Sequence, residues 1–251
     1  MENTPGIVAY CCEWGGYSSA DQAGRLGIPL PTGIRVVEVR CVGQVDAGAL
    51  IEPFLHRAHG VLLAGCRVER CHYLTGNIMA RGRVDLAQRL LALCGVDPRR
   101  VRLAWLEAAD GEGFARETDD FTRTLAPLGH PVPGEDTALS LMAALMASEA
   151  EKLRWLAGVG YDLKKTGNVF GRVLSEEEFS RALDEVVRDA FLQARLLLLL
   201  KQSPRTSREL AEAADEDVGR VSGVITLLEK EGKVRHHSSV DGLPRFAAEG
   251  I

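Results

Sequence analysis

Four short apolar runs, each followed by a stretch with helical periodicity, constrain this chain more than any other feature. They are 7–12 (IVAYCC), 34–41 (IRVVEVRC), 60–66 (GVLLAGC) and 101–107 (VRLAWLE). Runs of this length with nearly continuous apolar character are what strands of a parallel sheet require, because helices cover both of their faces. Helical stretches over about 20–26, 47–58, 78–93 and 113–128 fill the intervals and follow the last run. The alternation predicts an α/β fold for residues 1–130, a four-stranded parallel sheet with flanking helices.

Three of the four strands end in cysteine. Cys11 and Cys12 close the first, Cys41 the second and Cys66 the third, and Cys71 follows on the loop into the next helix. Strand carboxyl ends in such a sheet share one edge, where ligands bind. Residues sixty positions apart in sequence thereby converge. Cys94, on an apolar helical face (LLALCG), reads instead as a small core hydrophobe.

The chain carries 30 Lys and Arg against 35 Asp and Glu among 251 residues, an ordinary globular balance that excludes disorder and coiled coil. The apolar run at 196–200 is cut off by Lys201, short of a membrane span. The first residues show no basic and apolar pattern of a secretory signal. The expected location is therefore cytoplasmic, where cysteines serve as metal ligands or reactive groups more than as structural disulfides.

Thiolate sulfur is a soft anionic donor suited to zinc or to an iron-sulfur cluster. Structural zinc sites present paired C-x2-4-C knuckles. Here only Cys66 and Cys71 form a loose pair (GCRVERCH) while Cys11 and Cys12 are adjacent, so spacing favours a cluster over zinc. A zinc-stabilised adaptor remains the alternative on these residues.

Beyond the breaker cluster Pro131-Val132-Pro133-Gly134 the pattern turns helical. A helix over 136–158 carries Leu141, Leu145 and Trp155 on apolar faces, to be packed within the protein or against a partner protein. A second opens at Ser175, which has the capping-box spacing with Glu178, and runs to about Leu199. The acidic run 176–178 suits a helix N-terminus. Residues 135–190 thus form a helical extension.

Residues 191–251 read as a winged-helix-like unit: helices over 194–201, 206–214 and 217–232, then a hairpin over 233–248 turning at Asp241-Gly242. An iron-sulfur module joined to such a unit would suit a redox-sensing transcription regulator. However, the third helix sets Arg220 and Lys230 against Asp217, Glu229 and Glu231, and DNA binding needs an excess of cations. The wing adds Lys233, Arg235, His236, His237 and Arg245, a small set. The unit is read as a docking element, with no nucleic acid expected.

Phosphate-binding and nucleophile-elbow motifs are missing from the sequence; Cys-Cys-Glu-Trp-Gly-Gly follows the first strand where a G-x-G-x-x-G loop would stand. No catalytic residue is assigned.

Four segments, AYCCEWGGYSSADQAG, RVVEVRCVGQVD, LLAGCRVERCHYLTGN and LAWLEAADGEGF, resemble in order the delta subunit family of methyl-viologen-reducing hydrogenases. The resemblance covers residues 5 to 130. It implies a small iron-sulfur protein with one 2Fe-2S cluster, working beside a heterodisulfide-reductase-A-like flavoprotein subunit. Ligands fall among Cys11, Cys12, Cys41, Cys66 and Cys71. Of these, Cys12, Cys41, Cys66 and Cys71 are assigned to iron and Cys11 is placed behind them, since neighbours on a strand face opposite sides.

The family often reads C-C-x-W-C, whereas here Trp14 is followed by Gly15. His72 is a lesser candidate ligand of the Rieske kind. Trp14, Tyr17 and Tyr73 are expected as packing or partner contacts. The function implied is an electron relay between a hydrogenase or dehydrogenase module and the flavin subunit, in complexes that often perform electron bifurcation or confurcation.

Overall fold

Strands β1 (Ile7–Cys12), β2 (Ile34–Val39), β3 (Gly60–Cys66) and β4 (Val101–Leu106) form one sheet in the order β2-β1-β3-β4, every neighbouring pair parallel. The computed structural model describes residues 5–131, 134–240 and 242–249. Residues 1–4, Val132 and Pro133 of the breaker cluster, Asp241 of the expected hairpin turn, and 250–251 lie outside that description.

Helices α1 (Ser18–Arg25), α2 (Ala47–Leu55), α3 (Gly76–Leu93) and α4 (Gly111–Leu125) connect and follow the strands. Because strand side chains alternate, β1 sends Ile7, Ala9 and Cys11 to one face. There they join Leu62, Ala64, Ala104, Phe114, Phe121 and Leu125 in a core closed by α1 and α4. Tyr10 points the other way, and its hydroxyl donates to Ala49 O of α2 at 3.2 Å. Buried Arg100 ties the opposite end of the sheet, donating to the carbonyls of His59, Leu128 and Gly129.

β2 departs from the sequence expectation in two ways. It ends at Val39, so Cys41 lies just past the paired segment, and its residues 35–38 are exposed rather than buried on both faces. The cause is its place at the sheet edge, with β1 as its one partner. Arg35 and Glu38 interrupt its apolar character in keeping with that exposure.

The helix expected over 136–158 is two helices, α5 (Glu135–Ser148) and α6 (Glu151–Lys165). The break carries neither Gly nor Pro. Ser148 Oγ donates to Leu145 O at 2.7 Å, a bond that competes with the helical ladder, and Ala150 is extended at φ −59° and ψ 124°. α5 packs on α2 and α6 on α3. Leu141 is buried as expected, whereas Trp155 is exposed.

A long helix, α7 (Glu176–Gln202), opens with the capping box that the sequence announces, Ser175 N donating to Glu178 Oε2 and Glu178 N to Ser175 Oγ. The chain divides into two units, Met1–Val187 and Arg188–Ile251. The second holds the end of α7, strand β5 (Arg205–Thr206), helices α8 (Ser207–Ala214) and α9 (Val218–Lys230), and strands β6 (Val234–Val240) and β7 (Leu243–Ala248). Its three strands order as β5-β7-β6, all antiparallel, and Thr206 caps α8 in a second capping box with Glu209.

Phe121 is fully buried between α4 and the sheet. Phe121→Ala is expected to cost about 3–5 kcal/mol, measured as a lowered denaturant midpoint of the whole chain.

Candidate metal centre

The strand order makes the carboxyl ends of β1 and β3 the point where connections diverge to opposite sides of the sheet, the place where ligands sit in open α/β folds. Cys12 and Cys66 occupy those two ends, and their sulfurs are 3.5 Å apart. The chain leaves β1 through a wide π-type turn, Glu13–Tyr17, a form frequent at functional sites. It turns so tightly that a Cβ on Gly16 would lie 2.3 Å from Ala64 O, and one on Gly15 would lie 3.1 Å from Cys66 Cα. Glycine is required at position 16 and leaves only tight space for a side chain at position 15, which brings the Cys12 and Cys66 segments together.

Cys12 caps that turn. Its Sγ accepts from Gly15 N at 3.2 Å and Gly16 N at 3.5 Å, taking the place that Ser or Asp usually fills. The hydrogen bond from Cys66, with help from these backbone donors, lowers the Cys12 pKa to about 6. The Cys66 thiol is raised for the reciprocal reason, its bond to Cys12 first and burial next.

Cys41 repeats the device on a smaller scale. It precedes a 3-10 turn, Val42–Gln44, and its Sγ accepts from Gly43 N at 3.4 Å. Burial pushes its thiol upward. Cys71 stands beside it: a Cβ on Gly76 would lie 2.2 Å from Cys41 Sγ and 3.4 Å from Cys71 Sγ. The first residue of α3 is therefore a glycine that leaves room for two sulfurs.

Cys11 faces the opposite way, in the core with Phe114 and Phe121, and burial drives its thiol up to about 12. Cys94 is buried at the end of α3 and donates to Leu90 O at 3.2 Å. All six cysteines are free thiols. Of the five candidates the fold thus gathers four, as the pairs Cys12–Cys66 and Cys41–Cys71. Among the described residues, no three Cys, His, Asp or Glu side chains are placed as ligands of one ion.

Around the sulfurs, His72 stacks on Trp14 with centroids 3.8 Å apart, and Tyr73 meets His72 edge-on at 5.0 Å. A cavity of about 260 Å³ opens beside Cys66 and Gly15 under that stack, rimmed by Arg70 and Glu107. Trp14, Tyr17, Tyr73 and Leu74 are exposed. A larger cavity of about 710 Å³, lined by parts of α3, α6 and α7, contains none of the cysteines.

Sequence reading did not single out the supports of the site. Buried Asn77 donates to Cys66 O at 3.3 Å and Arg67 O at 2.8 Å, pinning the exit of β3. Ser19 donates to Gly15 O and Glu107 O and accepts from Asp110 N, tying the π-type turn to the loop after β4. The nearest signal was glycine two to four positions after a cysteine, as in C-x-x-G-G and C-V-G.

Fold and site together define a parallel α/β domain that collects four thiols at its switch point. The model of the methyl-viologen-reducing hydrogenase delta subunit family matches residues 7–129. The D-type iron-sulfur protein of the F420-non-reducing hydrogenase of Archaeoglobus profundus is 38% identical over 125 residues, covering 50% of this chain and 91% of the relative. The chain belongs to this delta subunit family.

The A component of the ferredoxin:CoB-CoM heterodisulfide reductase of Methanosarcina mazei is 37% identical over 140 residues, 55% of this chain. The A component of the ferredoxin/F420H2-dependent CoB-CoM heterodisulfide reductase of Methanosarcina acetivorans is 39% identical over 131 residues, 52% of this chain. The match spans 18% and 16% of those two longer proteins.

Gly76→Ala is expected to lower stability by about 1–3 kcal/mol through the clash with Cys41. Gly24→Ala, in α1 with no neighbouring atom within 4 Å, is expected to raise it by about 0.5–1 kcal/mol. Denaturant midpoints of the two variants check the contrast.

Proposed function

We propose that this protein is an electron-transfer subunit in which Cys12, Cys41, Cys66 and Cys71 hold one 2Fe-2S cluster. The observation that carries the reading is the pairing of four thiols, Cys12 with Cys66 and Cys41 with Cys71, at the carboxyl edge of one sheet. A two-iron cluster takes four thiolates, two at each iron, and the donor set fits that demand. Such a group, when bound, accepts and releases a single electron.

The chain's own residues do the rest. Gly15, Gly16 and Gly43 aim backbone N–H groups at cysteine sulfurs, which favours the thiolate form needed for metal binding. The same donors tune a reduction potential. The Trp14–His72 stack lines the cavity beside Cys66 and leaves aromatic edges at the surface. With every position taken by thiolate, the bound group would offer no open coordination site, which supports electron transfer rather than transformation of a substrate.

The relay is proposed to run between a hydrogenase or dehydrogenase module and a heterodisulfide-reductase-A-like flavin subunit, in a complex of the electron-bifurcating or confurcating type. Support comes from the two heterodisulfide reductase relatives, in which a segment similar to this domain is part of the longer reductase chain itself. Among the described residues, no helix is long and apolar enough to cross a membrane.

The unit Arg188–Ile251 is proposed to be a winged helix used for assembly. Its order of helix, short strand, two helices and antiparallel hairpin supports that reading. Several of its cations are engaged by carboxylates: Arg220 bonds Glu216 and Asp189, Lys233 bonds Glu231, and Arg245 reaches Glu209. Across 188–251 the Lys and Arg are matched in number by Asp and Glu, so the unit has no excess of positive charge for phosphates, which favours a protein partner over DNA.

Single serine substitutions test the ligand set. In anaerobically prepared protein, Cys12→Ser, Cys41→Ser, Cys66→Ser and Cys71→Ser should each lose most of the bound iron, while Cys11→Ser keeps it. Full iron retention in any of the four, or loss in Cys11→Ser with an unchanged melting temperature, would contradict the assignment.

A further inference from the structure

A half-buried guanidinium stands behind Cys41. Arg83, two turns along α3 from Gly76, donates through Nη1 to Gly43 O and to Val45 O, the latter at 3.4 Å. These carbonyls belong to the turn that Cys41 caps, and Gly43 N is the donor to Cys41 Sγ. The same Gly43 packs so closely on Gly76 that its Cβ would lie 2.5 Å from Gly76 O. Arg83 therefore grips the Cys41 turn at the place where it touches the helix that also flanks Cys71.

Among the described residues no carboxylate forms an ion pair with Arg83. Burial lowers its pKa, Asp46 and Cys41 act on it as more distant anions, and Arg154 opposes them. A half-buried cation bonded to carbonyls alone is costly unless anionic groups face it. The anionic groups that act on it are the Asp46 carboxylate and, on the site side, Cys41 of the thiol cluster.

Resting on the 2Fe-2S reading, we infer that Arg83 is a positioning residue that fixes the Cys41 turn for iron and raises the reduction potential of the bound cluster. Adding an electron increases negative charge at the sulfurs, and a fixed cation in a low-dielectric setting favours that state. Two separable effects follow: the carbonyl grip depends on the reach and direction of the guanidinium Nη1, which a lysine ammonium does not reproduce, and the potential depends on the positive charge.

The test compares wild-type protein with Arg83→Met and Arg83→Lys, each prepared anaerobically and titrated by EPR-monitored redox potentiometry with iron counted per chain. Arg83→Met should shift the midpoint potential to a more negative value. Arg83→Lys should hold the wild-type potential but bind iron less tightly, read as faster loss to a chelator. An unchanged potential in Arg83→Met, or equal shifts in Met and Lys variants, overturns the inference while leaving the cluster in place.

Should Arg83→Met hold no cluster, the Lys variant decides. A cluster with the wild-type potential carries the inference, and a Lys variant as empty as the Met variant overturns it. Wild-type protein without iron would instead overturn the cluster reading on which the inference rests.

Discussion

The close approach of the β1 and β3 carboxyl ends is the constraint on which the site depends. Cys12 and Cys66 reach 3.5 Å because the chain leaving β1 crosses the end of β3 on two glycines, Gly15 and Gly16, with Ala64 O and the Cys66 backbone directly beneath them. A side chain at Gly16 would force that crossing apart. The consequences extend outward: the turn points its N–H groups inward to Cys12, Ser19 locks it to the loop after β4, and Trp14 is delivered to its stack on His72. The second pair repeats the logic, with Gly43 against Gly76 replacing Gly16 against Ala64.

Electrostatics follows from this packing. A buried thiolate is unfavourable unless hydrogen bonds or nearby positive charge support it. Cys12 is supported by the Cys66 thiol and by backbone donors of the turn, and is lowered. Cys11, one residue away but facing the apolar core, has none of these and is raised. Strand alternation thus separates two adjacent cysteines into a ligand candidate and a core residue. The Cys12 device equals an N-cap in form, with a sulfur taking the role usual for a polar side chain.

Much of the sheet was legible in the sequence, because buried parallel strands demand continuous apolar runs and 7–12 and 60–66 have no competing explanation. The convergence of Cys12, Cys41, Cys66 and Cys71 was legible for the same reason, since strand ends share an edge. What resisted reading was set by tertiary context. The exposure of β2 depends on its edge position, the α5–α6 break on a back-bond from Ser148, and the grip of Arg83 on a contact across forty residues. The glycines carried a weak signal that only their contacts explain. The residue at position 15 shows this: read as a missing family cysteine, it is a place where the Cys66 backbone leaves only tight space for a Cβ.

The most direct test of the central claim is an EPR spectrum of dithionite-reduced protein, purified without exposure to air, taken together with iron, zinc and acid-labile sulfide contents of the same sample. The account predicts about two irons and two sulfides per chain with a reduced 2Fe-2S signal. One zinc and no iron, or protein without metal, would contradict it and leave the four thiols as the core of a structural adaptor.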